Sequence, residues 1–230
     1  MSNLLCSGLA LALISLGAPL PFATTALPPT VPSAEDTRVE DKEEITQIAQ
    51  SSIDRMLELL QDEKITPKAR REGVKDVIDQ LVDLELLGRL ALGSKRWGKI
   101  SDAQKKSFSS LFVETVRQSV FEQLELFTDE KVELGKPEPI KTSGSPKYRV
   151  LAWIVSNGQR TELALLFAKR EAGWRVYDLE VEGISQRKSY GNEYADFLKR
   201  KSFDDLLAKM REKVEAAKER MAKADAKAAG

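Results

Sequence analysis

The stretch Thr161-Glu-Leu-Ala-Leu-Leu-Phe-Ala-Lys-Arg-Glu-Ala-Gly-Trp-Arg-Val-Tyr-Asp-Leu-Glu-Val-Glu-Gly183 decides the fold class. Leu163, Leu165 and Phe167 alternate with Glu162, Ala164, Leu166 and Ala168, and Tyr177, Leu179 and Val181 alternate with Asp178, Glu180 and Glu182. A period of two on either side of the tight Ala172-Gly173 connection predicts two antiparallel strands with one apolar and one mixed face. Working outward, residues 148–156 and 131–134 read as further strands, and Asn157-Gly158 is a hairpin turn between the first of these and the stretch above. Asp178, Glu180 and Glu182 are expected to line a solvated sheet face.

The flanks are helical. Ile45, Ile48, Ala49, Met56, Leu59 and Leu60 fall at three- and four-residue steps over residues 42–61, the period of one helix face. A second helix is capped by Thr66 with Pro67 in its first turn, and a third runs from Leu84 to a stop at Gly93. Ser101 and Gln104 have capping-box spacing ahead of a long stripe that includes Phe108, Leu111, Phe112, Val116, Val120 and Phe127. After Gly183 helix returns, with Tyr194, Phe197 and Leu198 in one segment and Ser202 and Asp205 capping another. The expected fold is α+β: several helices on one face of a small twisted antiparallel sheet, in a single domain with an apolar pocket between helices and sheet.

The chain has 230 residues, 42% hydrophobic and 31% charged, with 36 basic against 36 acidic side chains. That balance gives no electrostatic footprint for nucleic acid. Histidine is absent and cysteine occurs once, which removes most metal sites and the histidine-activated nucleophiles. No phosphate-cradling glycine loop or nucleophile elbow occurs. No cofactor, no metal and no enzyme activity are expected.

No charged side chain precedes Glu35, and residues 4–16 are apolar. This resembles a signal-peptide core followed by a small-x-small cleavage signal at Thr24 and Ala26. The domains read as a signal peptide over 1–26, a flexible Pro-rich then acidic linker over 27–41, a main domain over 42–214, and a polar Ala/Lys-rich tail over 215–230 that is either a solvated helix or a frayed end.

Two motifs go further. Ala91-Leu92-Gly93, Trp97, Ser101, Gln104, Phe108 and Phe112 form one; Trp174, Val176, Tyr177, Asp178, Glu182, Gly183, Ile184 and Ser185 form the other. In order and separation they resemble motifs of the MlaC/toluene-tolerance family, over roughly residues 44–214. Residues 188–191, Lys-Ser-Tyr-Gly, and 202–206, Ser-Phe-Asp-Asp-Leu, depart from the family's pattern. The resemblance implies a periplasmic, non-catalytic carrier that shuttles phospholipid between the outer membrane and an inner-membrane ABC transporter complex. An outer-membrane lipoprotein complex would be its other partner. The hopanoid-associated HpnM-type branch of the same family would imply a bulkier apolar ligand.

The residues suit such a role, since burying acyl methylenes, worth about 0.8 kcal/mol each, needs only an apolar slot. The candidate lining is Leu163, Leu165, Phe167, Tyr177, Leu179 and Val181, with Leu151, Trp153 and Val155 beside them, and the helix stripe Phe108, Phe112, Val116 and Val120. Periodicity leaves open whether these line a cavity or fill a core. Arg187 and Lys188, and the run Lys199-Arg200-Lys201, are candidates for head-group contact or docking. A monomer is expected. A non-transporting exported interaction module is the competing class, and a hydrolase the weakest.

Overall fold

The computed structural model describes residues 34–124, 131–156 and 158–228. The expected signal peptide, linker residues 27–33, Phe127 and Asn157 lie outside them.

Helix α1 (Ala34–Gln61) begins eight residues before the expected start at Lys42, so residues 34–41 of the expected linker are helical. Acidic side chains are stabilising in a first helical turn, where the helix dipole is positive. A tertiary contact adds to this: Asp41 is 3% exposed and accepts a hydrogen bond from Lys169 Nζ at 2.8 Å. Helix α2 (Pro67–Leu81) starts as expected, with Thr66 Oγ accepting from the Ala69 N–H at 3.2 Å. Asp83 caps α3 (Leu84–Leu92), which ends at Gly93 with φ +84°, and the single turn α4 (Ser94–Trp97) follows. The Ser101–Gln104 box at the head of α5 (Asp102–Leu124) is reciprocal: Gln104 N–H donates to Ser101 Oγ and Ser101 N–H to Gln104 Oε1.

Strands β1 (Lys131–Leu134), β2 (Glu138–Pro139), β3 (Lys147–Ser156), β4 (Gln159–Arg170), β5 (Gly173–Val181) and β6 (Ile184–Ser185) form one antiparallel sheet. Its order is β1-β3-β4-β5-β6, with β2 also on β3. Ser156 pairs with Gln159, which places Leu163 opposite Ala152, Leu165 opposite Val150 and Phe167 opposite Tyr148. Opposed residues of an antiparallel pair share a face. Leu151, Trp153 and Val155 therefore lie on the other face from Leu163, Leu165 and Phe167, contrary to expectation. Alternation within a strand does not fix register between strands; the hairpin turn does. A β-bulge between β4 and β5 also leaves Tyr177 without a partner, because Leu166 pairs with Asp178 and Phe167 with Val176. The Tyr177 ring meets Lys147 Nζ at 5.1 Å, and Lys147 alternates with Tyr148.

Helix α6 (Gln186–Phe197) and α7 (Phe203–Ala228) complete the chain. The Ser202–Asp205 box opens α7 as expected, and the helix continues to Ala228, through the segment expected to be a solvated helix or a frayed end; its buried face is what departs from expectation. Val214, Ala217 and Met221 are buried at helical spacing, and ion pairs join Arg220 to Glu122 and Asp225 to Arg71. Alanines spaced along a lysine-rich run let α7 lie close against α5.

One core cluster lies between α1 and the sheet, where Ile45 and Ala49 meet Tyr148, Val150, Phe167, Trp174 and Val176. Another joins α3, α5, α6 and α7 through Leu87, Leu92, Phe108, Phe112, Tyr194 and Leu206. Glycine permits the closest helix contacts there: a Cβ at Gly88 would stand 2.7 Å from Phe112 Cδ1, and one at Gly191 2.8 Å from the Ala91 carbonyl oxygen. A third cluster joins α1, α2, α5 and α7 through Leu59, Val74, Phe121 and Met221. The free side of β5 is met by the α2–α3 junction, where Asp83 N–H donates to the Val176 carbonyl at 2.9 Å and Val82 bridges Val176 in parallel.

Candidate functional site

The nominated lining residues separate into three environments. Phe108 and Phe112 are fully buried. Their rings stack at 5.9 Å, and Tyr194 and Tyr190 meet them edge-on at 5.5 and 5.2 Å. Val116 and Val120 pack against the helical clusters. This stripe faces α3, α6 and α7 where the sheet was expected, because helical period reveals that a face is buried and not what buries it. Phe167 is equally enclosed, beneath α1.

Leu151, Trp153, Val155 and Tyr177 share the second environment, a face dressed with charge. The Arg160 guanidinium lies 4.3 Å from the Trp153 ring centroid, and Arg149 donates to Glu180 at 3.0 Å. Cations over rings keep these side chains wet at one end and covered at the other.

The third environment is an apolar band that the expectation had partly named. Leu163 is paired with Val181 and Leu165 with Leu179, and all are half-buried. Across β3 and β1 the same face continues through Ala152 and Leu134, and through Ile154 and Val132. Its outer end is Ile184, paired with Val181 and 62% exposed. Ile184 was missed as a site residue, although a signal was present. Glu182 and Gly183 hold φ +49° and +74°, the paired positive angles of a two-residue hairpin turn, which forces Ile184 opposite Val181. Ile184 is thus the exposed end of an otherwise half-buried or buried apolar band.

Asp178 departs most from expectation. It is 1% exposed where a solvated face was predicted. Its Oδ1 accepts from the backbone N–H groups of Leu179 and Arg187, each at 3.0 Å. Its Oδ2 accepts from Ser185 Oγ at 2.6 Å and Arg187 Nε at 3.2 Å. Ser185 in turn caps α6 by accepting from the Lys188 N–H. The carboxylate thus clasps β5, β6 and the start of α6, and gives the Asp and Ser of the second motif a structural reason. Arg187 is committed to this clasp, while the Lys188 side chain is exposed beside it. Of the more distant basic run, Lys199 pairs with Asp196 at 2.6 Å.

Among the cavities lined by described residues, one of about 710 Å³ is bordered by Asp79, Asp83, Arg117, Lys169, Arg170 and Arg175. Arg117 pairs with Asp79 and Arg170 with Asp83 within it, and Lys169 pairs with Asp41 on α1 outside it. Another of about 610 Å³ lies between α5, α6 and α7. Among the described residues no cluster of His, Cys, Asp or Glu is arranged to hold a metal, and no helix is long and apolar enough to cross a membrane.

A model of the MlaC protein family matches residues 50–212. A Haemophilus influenzae protein described as the intermembrane phospholipid transport system binding protein MlaC is 25% identical over 153 residues, covering 65% of this chain and 70% of its own. Among solved structures, a phospholipid-binding protein from Ralstonia solanacearum in complex with a phospholipid has the same fold. The TM-score is 0.63 at 18% identity, over 74% of this chain and 97% of that one.

Proposed function

The chain belongs to the MlaC family, and from that premise we propose that it is a periplasmic phospholipid carrier whose acyl chains lie on the apolar band of the sheet. The open row Leu163, Val181 and Ile184 carries the reading. Each acyl methylene removed from water there contributes about 0.8 kcal/mol, so a lipid gains affinity without any catalytic group. Lys188, exposed on the first turn of α6, supplies the ammonium for the phosphate in this reading. Arg187 positions that turn through Asp178. The carrier is exported by a signal peptide cleaved after Ala26 and acts as a monomer. It exchanges lipid with an inner-membrane ABC transporter complex and an outer-membrane lipoprotein complex.

The test is native mass spectrometry of the purified protein with identification of solvent-extracted lipid, repeated on Leu163→Glu and Ile184→Glu. A stoichiometric diacyl phospholipid is expected on the unaltered chain. A carboxylate placed beneath an acyl chain costs about 3 kcal/mol or more, a loss above a hundredfold, and at Ile184, which is 62% exposed, it leaves the melting temperature unchanged. A bound hopanoid would transfer the protein to a different ligand class. A protein that stays lipid-free after incubation with membrane lipids would refute the carrier reading.

A further inference from the structure

Away from the sheet, one end of the helical cluster is closed by two short segments. Helices α5 and α7 run parallel, because Gln104 Nε2 donates to Asp204 Oδ1 at 2.8 Å near their starts and Arg220 pairs with Glu122 further along both. The segment that leads into α5 (residues 93–101, with the single turn α4) and the segment that leads into α7 (residues 198–202) therefore lie at the same end. Apolar side chains fix them there. Trp97 and Ile100 of the first and Leu198 of the second pack against the cluster around Phe108, and the Phe108 ring centroid lies 6.4 Å from that of Trp97 and 5.9 Å from that of Phe203.

The charged side chains left outside are all basic. The first segment carries Lys95, Arg96 and Lys99, the second Lys199, Arg200 and Lys201, and neither contains a carboxylate. All six are exposed. In a chain whose 36 cations balance 36 anions, this is a local excess. The carboxylates that flank the segments do not offset it, because each already has a partner: Asp102 in Lys105, Asp196 in Lys199, Asp204 in Gln104 and Asp205 in the Ser202 cap. Among the described residues no carboxylate pairs with Lys95, Lys99, Arg200, Lys201 or the exposed Lys106 near the start of α5, and Arg96 reaches only the Leu92 carbonyl, at 3.4 Å. Like charges gathered without counter-charges repel one another, and an anionic partner relieves them.

The chemistry favours a bilayer as that partner. Most of the unpaired cations are lysines, point charges on flexible stems that follow laterally mobile phosphates, whereas the fixed carboxylates of a folded protein are matched by planar arginine forks. Leu90 is 37% exposed in the last turn of α3, beside the exposed Arg89 and just ahead of the first segment. An open leucine among cations suits the boundary where head groups meet hydrocarbon.

We propose that this end of the helical cluster docks on an anionic phospholipid bilayer, with Lys95, Arg96, Lys99, Lys106, Arg200 and Lys201 against the phosphates. The docking is separate from lipid carriage on the sheet band and holds whether or not the band is occupied.

Flotation of the purified chain with vesicles of mixed phosphatidylglycerol and phosphatidylcholine, and with vesicles of phosphatidylcholine alone, reads the docking as the difference between the two. The chain is expected to float with the anionic vesicles. It should be released when ionic strength rises from about 0.1 M to about 1 M, which cuts the screening length from about 10 Å to about 3 Å. Each Lys or Arg near an anionic surface is worth roughly fivefold in affinity. Lys95→Gln with Lys99→Gln, and Arg200→Gln with Lys201→Gln, should each weaken binding about twentyfold. Lys131→Gln with Lys141→Gln removes the same charge from exposed positions in β1 and just after β2, and should change binding by less than about twofold. The Lys95 and Lys99 variant should keep its melting temperature and whatever lipid the unaltered chain holds, so that lost docking is neither lost fold nor lost carriage. Equal flotation with the two kinds of vesicle, no flotation with either, binding that survives salt, or unchanged binding in both segment variants would overturn the proposal. So would an equal loss in the Lys131 and Lys141 variant. Retention on immobilised polyglutamate without flotation on anionic vesicles would assign this end to an acidic protein and overturn it as well.

Discussion

Removing the Asp178 carboxylate by substitution to alanine is the sharpest test of how this sheet is joined to its helices. The side chain is 1% exposed and receives hydrogen bonds from Leu179, Ser185 and Arg187. In Asp178→Ala the Arg187 guanidinium, on a side chain 30% exposed, can turn to solvent, and the Ser185 hydroxyl can rotate. The backbone N–H groups of Leu179 and Arg187 cannot, and an orphaned buried donor costs about 1–3 kcal/mol. The pair gives about 2–6 kcal/mol, in agreement with the roughly 3–5 kcal/mol for removing one partner of a buried ion pair. For a domain of this size that is a fall of about 6–20 °C in Tm. Asp178→Asn keeps one acceptor for the two N–H groups and should cost about 2 kcal/mol, and Ser185→Ala about 1 kcal/mol. Urea unfolding with a constant m-value gives each number directly. A loss under about 1 kcal/mol in Asp178→Ala, or the reverse order among the three variants, would refute the clasp.

Other substitutions probe the fold independently. Gly191→Ala improves helix propensity by about 1 kcal/mol, yet its Cβ would meet the Ala91 carbonyl oxygen at 2.8 Å. A net destabilisation of about 1–3 kcal/mol is expected, and a rise in Tm would mean that α3 and α6 are further apart than described. Thr66→Ala removes the cap of α2 and should cost about 1 kcal/mol, measurable by thermal unfolding; Thr66→Ser should restore most of it. Met221→Asp places a charge in the contact of α7 with α2 and α5 and should raise amide exchange in the last turns of α7, an effect a solvated tail would not show.

Local chemistry was legible in the sequence and lateral geometry was less so. Thr66, Ser101 with Gln104, and Ser202 with Asp205 start their helices where the sequence places them, because a cap involves only neighbours along the chain. Leu163, Leu165, Leu179 and Val181 share a face as alternation requires. The α5 stripe gave no indication that its partners would be helices, and the alternation that grouped Tyr177 with Leu179 fails at the bulge. Asp178 and Glu180 look equivalent by period; only the return of Ser185 and Arg187 across the hairpin distinguishes the buried carboxylate from its neighbour. The acidic start of α1 and the lysine-rich end of α7 have loop-like or tail-like composition, and tertiary partners, Lys169 for Asp41 and Glu122 for Arg220, hold both in helix.

An apolar sheet surface open to water invites self-association, and the way the strands are bordered limits its form. Along β5 the outer hydrogen-bonding side is taken by Val82 and Asp83 and then by β6. On the opposite border β3 is overlain by β1, only 4 residues long, and by β2, which contains Pro139 and so lacks one backbone donor. Neither border offers a long template on which a second chain could extend the sheet. Contact between two copies through this face would have to be made by side chains alone. Growth into strand-paired fibrils, the hazard of most uncovered sheets, is closed off at both sides.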